Sequence, residues 1–461
     1  MQRWAPDIGS FSGPKYLAIA EALARDIESG ALGAGTRLPP QRALAGALGV
    51  DLTTVTRAYG EAQKLGLIEG DGRRGSFVRE KPLAASKVRY RDNGDVGMNA
   101  PPEVPGGLLN IEFRRSAEAL LASNDVTAPF QYQPSGGLPI AREAGATLLM
   151  NRGIPCEEDS VLIAAGGQHA LHAIFSAELK AGDLLAVCAF AYPGLLALAR
   201  RYGVRLLVIR SDEEGMDPEA LEAACIQENL RSLYVVPTND NPTTITMGIE
   251  RRKALASVAV RHGLMVIEDD AYGMLPERSQ PPIASFAPDC TWHIASVSKI
   301  LTPGLRVAWL RAPDISKAWR LSADMHETAI MAAPLNAAIV VDWLDRGVFQ
   351  QLVNAVRTEA RHRQALAREC LPPGSFMANE EGYHLWVPLT PNIDPGQIAG
   401  AVRTYGLSVI GSDAFAVERT GAAPALRVSI GGTIARERLE RGLRLLAALI
   451  GSDATGKISL V

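Results

Sequence analysis

The feature that most limits the possible folds is an alternation of short apolar runs with helical patterns from about residue 136 onward. The apolar runs predict strands at 161–164, 184–188, 205–208, 232–236, 264–268, 292–295 and 307–310, and helices are predicted between them at 168–179, 195–202, 218–228 and 250–262. Alternating strands and helices indicate a mainly parallel sheet with helices on both faces. Ligands of such sheets bind at the carboxyl ends of the strands, so we expect a functional site there.

Length and composition indicate a multidomain protein without a membrane span or a disulfide framework. The chain has 461 residues, and 47% of them are hydrophobic, which is enough for sizeable cores. No apolar run has the length of a membrane helix, and residues 1–10 lack the apolar core of a signal peptide, so we expect a cytoplasmic protein. The five cysteines contain no C-x-x-C pair and are predicted to be reduced. His169 and His172 are three residues apart, but no third ligand lies near them in the sequence, so no metal site is predicted.

The first eighty residues combine three predicted helices with a basic hairpin. Amphipathic patterns predict helices at 15–28, 41–48 and 52–65, with Gly49 as a C-terminal cap and Asp51 as an N-terminal cap. Two short strands, 67–69 and 76–78, are predicted around a Gly-rich and Arg-rich turn. This arrangement predicts a winged helix-turn-helix. A small helical domain that binds protein through a basic hairpin is the alternative.

In a winged helix-turn-helix the third helix enters the major groove of DNA, and the wing contacts phosphates or the minor groove. The predicted DNA-binding residues are therefore Thr53, Thr54, Thr56 and Arg57 on the third helix, with Arg73 and Arg74 on the wing. Seven Lys and Arg residues against four Asp and Glu residues between residues 30 and 79 agree with a surface that faces nucleic acid.

The same region carries a resemblance to a family. The pattern G-x-L-x-x-G-x-x-L-P-x-x-R, followed by T-T-V-x-R-A-Y, G-L-I-E and a G-x-F-V wing, resembles the GntR class of bacterial repressors over nearly all of residues 15–79. The resemblance implies that Arg42, the arginine of L-P-x-x-R, contacts DNA. Asp51-Leu52 stands where the family often has Ser-Arg, so one arginine expected at the DNA is missing.

One lysine stands out in the C-terminal region. In the stretch TWHIASVSKILTPGLRVAW, Lys299 follows Ser296 and Ser298 and precedes Arg306 by seven residues. An amine beside hydroxyls and a guanidinium suits a buried Schiff base next to a phosphate dianion. The motif S-x-S-K-x-L-x-P-G-L-R resembles the active-site stretch of fold-type I aminotransferases, which use pyridoxal 5'-phosphate (PLP).

Further candidate residues follow predicted strands. The glycine turn before the helix at 168–179 presents backbone N–H groups to an anion. The resemblance implies that this turn, with Gly167 and Gln168, holds the cofactor phosphate. A buried carboxylate needs a cation, and the pyridine nitrogen of PLP would supply one. The resemblance selects Asp269 for this role by its spacing to the tyrosine of D-x-A-Y. It also implies a ring-stacking role for Tyr192, contacts to the phenolic oxygen from Asn241 and Tyr272, a substrate-carboxylate contact from Arg427, and a contact from Tyr132 to the partner subunit's phosphate. Thr244 replaces a glycine of the family pattern Q-N-P-T-G.

Together, the two resemblances indicate the MocR (GabR-like) subfamily of GntR transcription regulators. The expected organisation is a GntR-type winged helix-turn-helix at 12–80, a linker at 81–106 and an aminotransferase class I/II-like PLP-binding domain at 107–455. That domain is expected to have an α/β large lobe at about 136–321 and a smaller α+β lobe at about 107–135 and 322–455. Helices at 337–344, 349–367 and 437–449 and strands at 384–387, 408–410 and 427–430 are predicted for the smaller lobe. The resemblance implies a head-to-tail homodimer that binds double-stranded DNA and a small amino compound.

Three functions are compatible with these residues. The first is a PLP-dependent transcription regulator that senses an amino compound through an external aldimine at Lys299. The second is an active aminotransferase with an accessory DNA-binding domain, in which Lys299 acts as the catalytic base. The third is a repressor whose large domain only dimerises. The site residues do not separate the first two functions.

Overall fold

The computed structural model describes residues 4–6, 14–33, 35–70, 75–79, 97–122, 128–391, 393–418 and 423–452. The chain divides into two compact units, Met1–Asn93 and Gly94–Val461. The wing residues Arg73 and Arg74 and most of the predicted linker, residues 81–96, lie outside the described residues. Among the described helices, none combines the length and apolar character needed to cross a membrane.

The first unit contains the predicted helices and hairpin. Its elements are helices α1 (Lys15–Glu28), α2 (Gln41–Leu48) and α3 (Leu52–Lys64) and the antiparallel strands β1 (Ile68–Gly70) and β2 (Ser76–Val78). Gly49 ends α2 in the left-handed conformation, with φ 60°, as predicted. Asp51 occupies the N-cap position of α3, but its side chain makes no capping hydrogen bond there. The unit has its own buried core, which includes Ile19, Leu23, Leu44 and Val55.

The second unit contains eleven helices among the described residues. They are α4 (Leu108–Ala122), α5 (Pro139–Met150), α6 (Gly167–Glu178), α7 (Pro193–Tyr202), α8 (Pro218–Gln227), α9 (Ile249–His262), α10 (Ile315–Ala329), α11 (Pro334–Asp345), α12 (Val348–Cys370), α13 (Pro395–Arg403) and α14 (Arg436–Ser452). Helices α6–α9, α11, α12 and α14 were expected from the sequence, and the others were not.

A seven-stranded sheet forms the centre of this unit. Its strands are β3 (Val161–Ala164), β4 (Leu184–Val187), β5 (Arg205–Val208), β8 (Ser232–Val235), β9 (Met265–Asp269), β10 (Thr291–Ser296) and β11 (Ala308–Arg311); a separate small hairpin contains β6 (Ser211–Asp212) and β7 (Gly215–Met216). The order is β3-β11-β10-β9-β8-β4-β5. Five neighbouring strands are parallel, and β11 is antiparallel to both β10 and β3. The prediction of a mainly parallel sheet is therefore confirmed.

Helices cover both faces of this sheet. Along β4, Leu185 and Val187 pack in one core with α6, α7 and α10, whereas Ala186 packs in another core with α8 and α9. Neighbouring side chains of a strand point to opposite faces, so this division is that of a sheet buried on both sides.

A second sheet forms the smaller lobe. Its four antiparallel strands are β12 (Met377–Ala378), β13 (His384–Pro388), β14 (Ser408–Gly411) and β15 (Ala425–Ser429), in the order β12-β13-β15-β14. The long helix α12 packs with α11 and α14 and with residues of β13 and β15 in one hydrophobic core. The α+β character predicted for this part of the chain is confirmed.

Candidate functional site

A cavity in the second unit brings together residues from the carboxyl ends of β8, β9 and β10. Its volume is about 110 Å³. Ten of the eleven residues predicted to bind the cofactor line it: Gly167, Gln168, Tyr192, Asn241, Asp269, Tyr272, Ser296, Ser298, Lys299 and Arg306. Tyr132 is not among the lining residues and is 81% exposed.

Lys299 lies in a single turn of 3-10 helix directly after β10. Its Nζ donates a hydrogen bond to the carbonyl oxygen of Asn99 at 2.5 Å. Burial lowers the pKa of Lys299 to about 8; Arg427 and Arg306 act in the same direction, and Asp269 opposes them. With this pKa about a tenth of the Lys299 amines are neutral at pH 7, far more than for an ordinary lysine, and the neutral amine is the nucleophilic form.

Asp269 is the carboxylate of its strand that faces the cavity. It accepts a hydrogen bond from the Tyr234 hydroxyl at 3.0 Å, and burial raises its pKa to about 6. The neighbouring Glu268 and Asp270 lie on the opposite face, as strand geometry requires. Glu268 accepts from two backbone N–H groups and contacts His293, and Asp270 pairs with Arg152 at 2.5 Å. A buried carboxylate of this kind matches a cationic ligand atom.

One end of the cavity can hold an anion. Ser296 ends β10, and the Oγ of the buried Ser298 has no hydrogen-bond partner among the described residues. Arg306 adopts the left-handed conformation, with φ 53°, and its Nη2 donates to the carbonyl of Ala165 at 2.8 Å. A Cβ at Gly166 would lie 2.7 Å from the Arg306 guanidinium, so only glycine allows this approach.

A second glycine makes room for Tyr192, which precedes α7. A Cβ on Gly194 would lie 2.3 Å from the Tyr192 ring and 2.4 Å from Oε1 of Gln168. Gln168 Nε2 donates to the carbonyl of Gly194 at 3.3 Å. The absent side chain therefore lets the ring and the glutamine share one wall of the cavity.

Asn241 and Thr244 belong to the turn after β8. Asn241 is 8% exposed and lines the cavity. Thr244 has φ 67°, and its N–H donates to the Asp240 carbonyl at 2.7 Å. The turn thus keeps a conformation that suits the family's glycine, although a β-branched residue occupies it.

Arg427 comes from β15 of the second sheet and is 2% exposed. Its Nη1 contacts Oδ1 of Asn241 at 3.4 Å, its Nη2 donates to the carbonyl of Gly97 at 2.7 Å, and its guanidinium lies 5.4 Å from the centre of the Phe415 ring. The contact with Asn241 brings Arg427 to the residues around the cavity, although the sequence separation is 186 residues.

Sequence reasoning missed Tyr234 and Asn99. A hydroxyl in the middle of the apolar strand β8 was the available signal for Tyr234, because a buried polar group needs a partner. Asn99 reaches Tyr272 from 173 residues away, and no local pattern indicates that contact.

In the first unit, the predicted DNA-facing residues lie on the surface of α2 and α3. Arg42, Thr53, Thr56 and Arg57 are exposed, and Thr54 is half-buried. The Thr56 hydroxyl donates to Oε1 of Gln41 at 2.8 Å, which links the two helices. The Arg57 guanidinium lies 4.1 Å from the centre of the Tyr16 ring.

A winged helix-turn-helix joined to an α/β unit with a lysine, a carboxylate and an anion cradle in one cavity defines a DNA-binding regulator with the fold of PLP-dependent aminotransferases. Two family models match the chain: "Bacterial regulatory proteins, gntR family" over residues 15–78 and "Aminotransferase class I and II" over residues 106–446. The chain belongs to the aminotransferase class I and II family and carries a gntR-family domain at its N-terminal end, the combination of the MocR-like regulators.

The chain is similar both to HTH-type transcriptional regulators and to aminotransferases. An uncharacterized HTH-type transcriptional regulator of Bacillus subtilis (strain 168), YdeF, is 30% identical over 97% of this chain and 96% of that protein. The 2-aminoadipate transaminase of Thermus thermophilus is 30% identical over 79% of this chain and 90% of that protein. The crystal structure of LysN, an alpha-aminoadipate aminotransferase of Thermus thermophilus complexed with N-(5'-phosphopyridoxyl)-L-leucine, has a TM-score of 0.70 and 25% identity and covers 81% of this chain and 96% of that chain.

Proposed function

We propose that this protein is a PLP-dependent transcription regulator whose C-terminal unit senses an amino compound at Lys299. The observation that carries the proposal is the cavity that gathers Lys299, Asp269 and the anion cradle around Arg306, in a chain that also has a gntR-family domain. We assign DNA binding to residues 12–80, the linker to 81–106 and cofactor binding to 107–455.

Pyridoxal 5'-phosphate is the cofactor that fits this cavity. The Ser298 hydroxyl, which has no hydrogen-bond partner among the described residues, and the Arg306 guanidinium suit a phosphate dianion, and Asp269 suits the protonated pyridine nitrogen. When bound, the cofactor supplies an aldehyde carbon that combines reversibly with the Lys299 amine or, in exchange, with the amine of the effector. The assigned contacts are Gly167, Gln168, Ser296, Ser298 and Arg306 for the phosphate, Asp269 for the ring nitrogen, Asn241 and Tyr272 for the phenolic oxygen, and Tyr192 for the ring face.

We assign the selection of the effector to Arg427. Arg427 is a buried guanidinium whose fork geometry suits a carboxylate. Its Nη2 contacts the neutral carbonyl oxygen of Gly97, and a carboxylate is a stronger acceptor for the same group. An amino acid or a related amino carboxylate is therefore the proposed effector class.

Regulation requires the effector to bind two states of the protein with different affinity. We place the signal in a head-to-tail homodimer, in which Tyr132 contacts the cofactor phosphate in the partner subunit. The large exposed area of the Tyr132 side chain supports this role, since a solvent-exposed tyrosine is available to a second subunit.

Spectroscopy and DNA binding together test the proposal. Addition of PLP is expected to give the absorbance band of a cofactor joined to lysine. Lys299→Ala abolishes this band, whereas Lys253→Ala, at a lysine with 46% of its side chain exposed, retains it. A footprint upstream of the coding region of this chain then supplies an operator, and candidate amino acids are screened for a change in its affinity at fixed salt. If no amino compound changes operator affinity in the PLP-loaded protein, the regulatory proposal fails.

An active aminotransferase is the second candidate. The similarity to the 2-aminoadipate transaminase favours it, and the lowered pKa of Lys299, about 8, suits a catalytic base. Sustained conversion of an amino donor and a keto acid by the wild-type protein, lost in Lys299→Ala, would support this function. A single half-reaction without turnover would favour the regulator.

A further inference from the structure

The carboxamide of Asn99 lies at the centre of a buried hydrogen-bond network that the proposed function leaves unused. Asn99 is 2% exposed. Its Nδ2 donates to the Tyr272 hydroxyl oxygen at 2.9 Å and lies 3.1 Å from Nδ1 of His384, while its Oδ1 accepts from the Ser429 hydroxyl at 2.7 Å. A carboxamide offers two N–H donors and one acceptor oxygen, so these contacts use both of its ends.

A backbone carbonyl sets the direction of this network. Nε2 of His384 lies 3.0 Å from the carbonyl oxygen of Asp240, which can only accept a hydrogen bond. Nε2 therefore carries a proton. Burial, assisted by the positive charges of Arg427 and Lys299, lowers the pKa of His384 to about 3. The imidazole holds a single proton, and Nδ1 is a bare acceptor.

The neutral His384 in turn orients Asn99 and Tyr272. Only the NH₂ end of Asn99 can donate to a bare Nδ1, so the network allows one orientation of the carboxamide. The same NH₂ group donates a hydrogen bond to the Tyr272 hydroxyl oxygen. Burial raises the pKa of Tyr272 to about 12, so the hydroxyl keeps its own proton. The Tyr383 hydroxyl also lies within hydrogen-bonding reach of Tyr272, and it donates its own proton to the Lys299 carbonyl at 2.8 Å. The Tyr272 proton is therefore left with two directions, the Tyr383 oxygen and the cavity that Tyr272 lines.

We propose that Asn99 and His384 are positioning residues that aim the Tyr272 hydroxyl proton into the cofactor cavity. The proposal rests on the proposed function, since the expected acceptor is the phenolic oxygen of PLP. In this network the Asp240 carbonyl fixes which nitrogen of His384 carries the proton. His384 then fixes the orientation of the Asn99 carboxamide, and Asn99 orients the Tyr272 hydroxyl. A donor held at this oxygen stabilises negative charge on it and so lowers the pKa of the coloured group formed by PLP and Lys299.

The backbone of residues 99–101 is held by contacts that do not involve the Asn99 side chain. The Gly432 N–H donates to the Ala100 carbonyl at 3.0 Å. A Cβ on Gly431 would lie 1.9 Å from the same oxygen, so the two segments are in close contact. A substitution of the Asn99 side chain therefore removes the carboxamide and leaves the path of residues 99–101 in place.

The first experiment needs no cofactor. Histidine NMR with ¹⁵N labelling of the wild-type protein, with His384 assigned through His384→Gln, reports which ring nitrogen carries the proton. We expect a neutral ring protonated at Nε2 throughout pH 5–8. A charged ring, or a proton on Nδ1, overturns the proposal. This result is independent of PLP binding, so it separates a failure of the relay from a failure of the proposed function.

The second experiment titrates the absorbance of the PLP-loaded protein with pH. Tyr272→Phe, Asn99→Ala and His384→Leu are each expected to raise the pKa of the coloured group by about one unit, the value of one hydrogen bond. His384→Gln, which has one donor and one acceptor at a similar separation, is expected to return most of this shift. In a Tyr272→Phe background, Asn99→Ala is expected to add almost nothing, because it acts through Tyr272. An equal shift in both backgrounds, or no shift in either, refutes the relay.

Discussion

The glycine of the anion cradle gives the sharpest quantitative test. Gly166 has φ 86° and ψ 167°, a conformation almost confined to glycine. In Gly166→Ala the new methyl group would lie 2.7 Å from Cζ and Nη2 of Arg306. The substitution therefore imposes backbone strain and also displaces the guanidinium, which loses its hydrogen bond to the Ala165 carbonyl.

These two effects have separable magnitudes. The backbone strain lowers the free energy of unfolding by about 1–3 kcal/mol in the absence of cofactor. Displacement of Arg306 removes a charged hydrogen bond to the phosphate, worth about 1.5–3 kcal/mol, and so weakens PLP binding about 10- to 150-fold. Urea unfolding of the cofactor-free protein measures the first effect, and a PLP absorbance titration measures the second.

Gly182→Ala is the matched control. Gly182 also has a positive φ, 92°, but a Cβ there meets no atom within 4 Å. We expect a loss of stability without a loss of PLP affinity. Unchanged PLP affinity in Gly166→Ala, or an equal loss in Gly182→Ala, would refute the role given to the Arg306 contact.

Four further predictions concern other charged groups. Since the pKa of Lys299 is about 8, its rate of reaction with PLP is expected to rise through pH 8 and level off above it, and a stopped-flow pH series that climbs steadily toward pH 10.5 would contradict this. Burial raises the folded-state pKa of Asp269 to about 6, so the ionised carboxylate destabilises the folded state above pH 6, and this cost disappears near pH 4. Asp269→Asn is therefore expected to stabilise the cofactor-free protein by about 3 kcal/mol at pH 7.5, with no gain at pH 4, as measured by urea unfolding. Arg427→Gln is expected to weaken an amino acid effector about 10- to 100-fold relative to the same amine without its carboxylate, measured as ligand-induced absorbance change, and an equal effect on both ligands would argue against a carboxylate contact. Arg42→Ala is expected to weaken operator binding and reduce the salt dependence by about one ion, and an unchanged slope in fluorescence anisotropy would place Arg42 away from the phosphates.

Local signals predicted most of the fold, and long-range packing accounts for the helices that were missed. The ends of α2 and β3 agree with the prediction residue for residue. Helix α5 contains Gly145, which is unfavourable within a helix, but a Cβ there would lie 2.1 Å from the Trp309 ring. Helix α4 fully buries only Ser116; Leu109 and Leu120 are half-buried against the core, and other apolar residues such as Ile111 are exposed, so its apolar side chains do not mark a single buried face.

The same difference between local signals and long-range packing applies to the residues of the site. Lys299 and Asp269 each lie at the end of a strand, so motif spacing within a few residues was enough to select them. Their partners Tyr234 and Asn99 depend on which strands and segments become neighbours. The antiparallel direction of β11 could not be predicted from local sequence either, because strand polarity is a property of the whole sheet.

The antiparallel pairing of β10 with β11 limits how much the distance between the Lys299 amine and the Arg306 guanidinium can vary. Ser296 pairs with Ala308, and the Val297 N–H bonds to the Val307 carbonyl at 3.2 Å, so Lys299 and Arg306 belong to one short closed loop. The entropy of closing that loop is lost once, on folding, and the span between amine and guanidinium is then set by hydrogen bonds between two adjacent strands. Fluctuations elsewhere in the lobes can open or close the cavity without changing that span. The Lys299 amine and the Arg306 guanidinium, the proposed attachment point and phosphate anchor, are therefore expected to move as one rigid part.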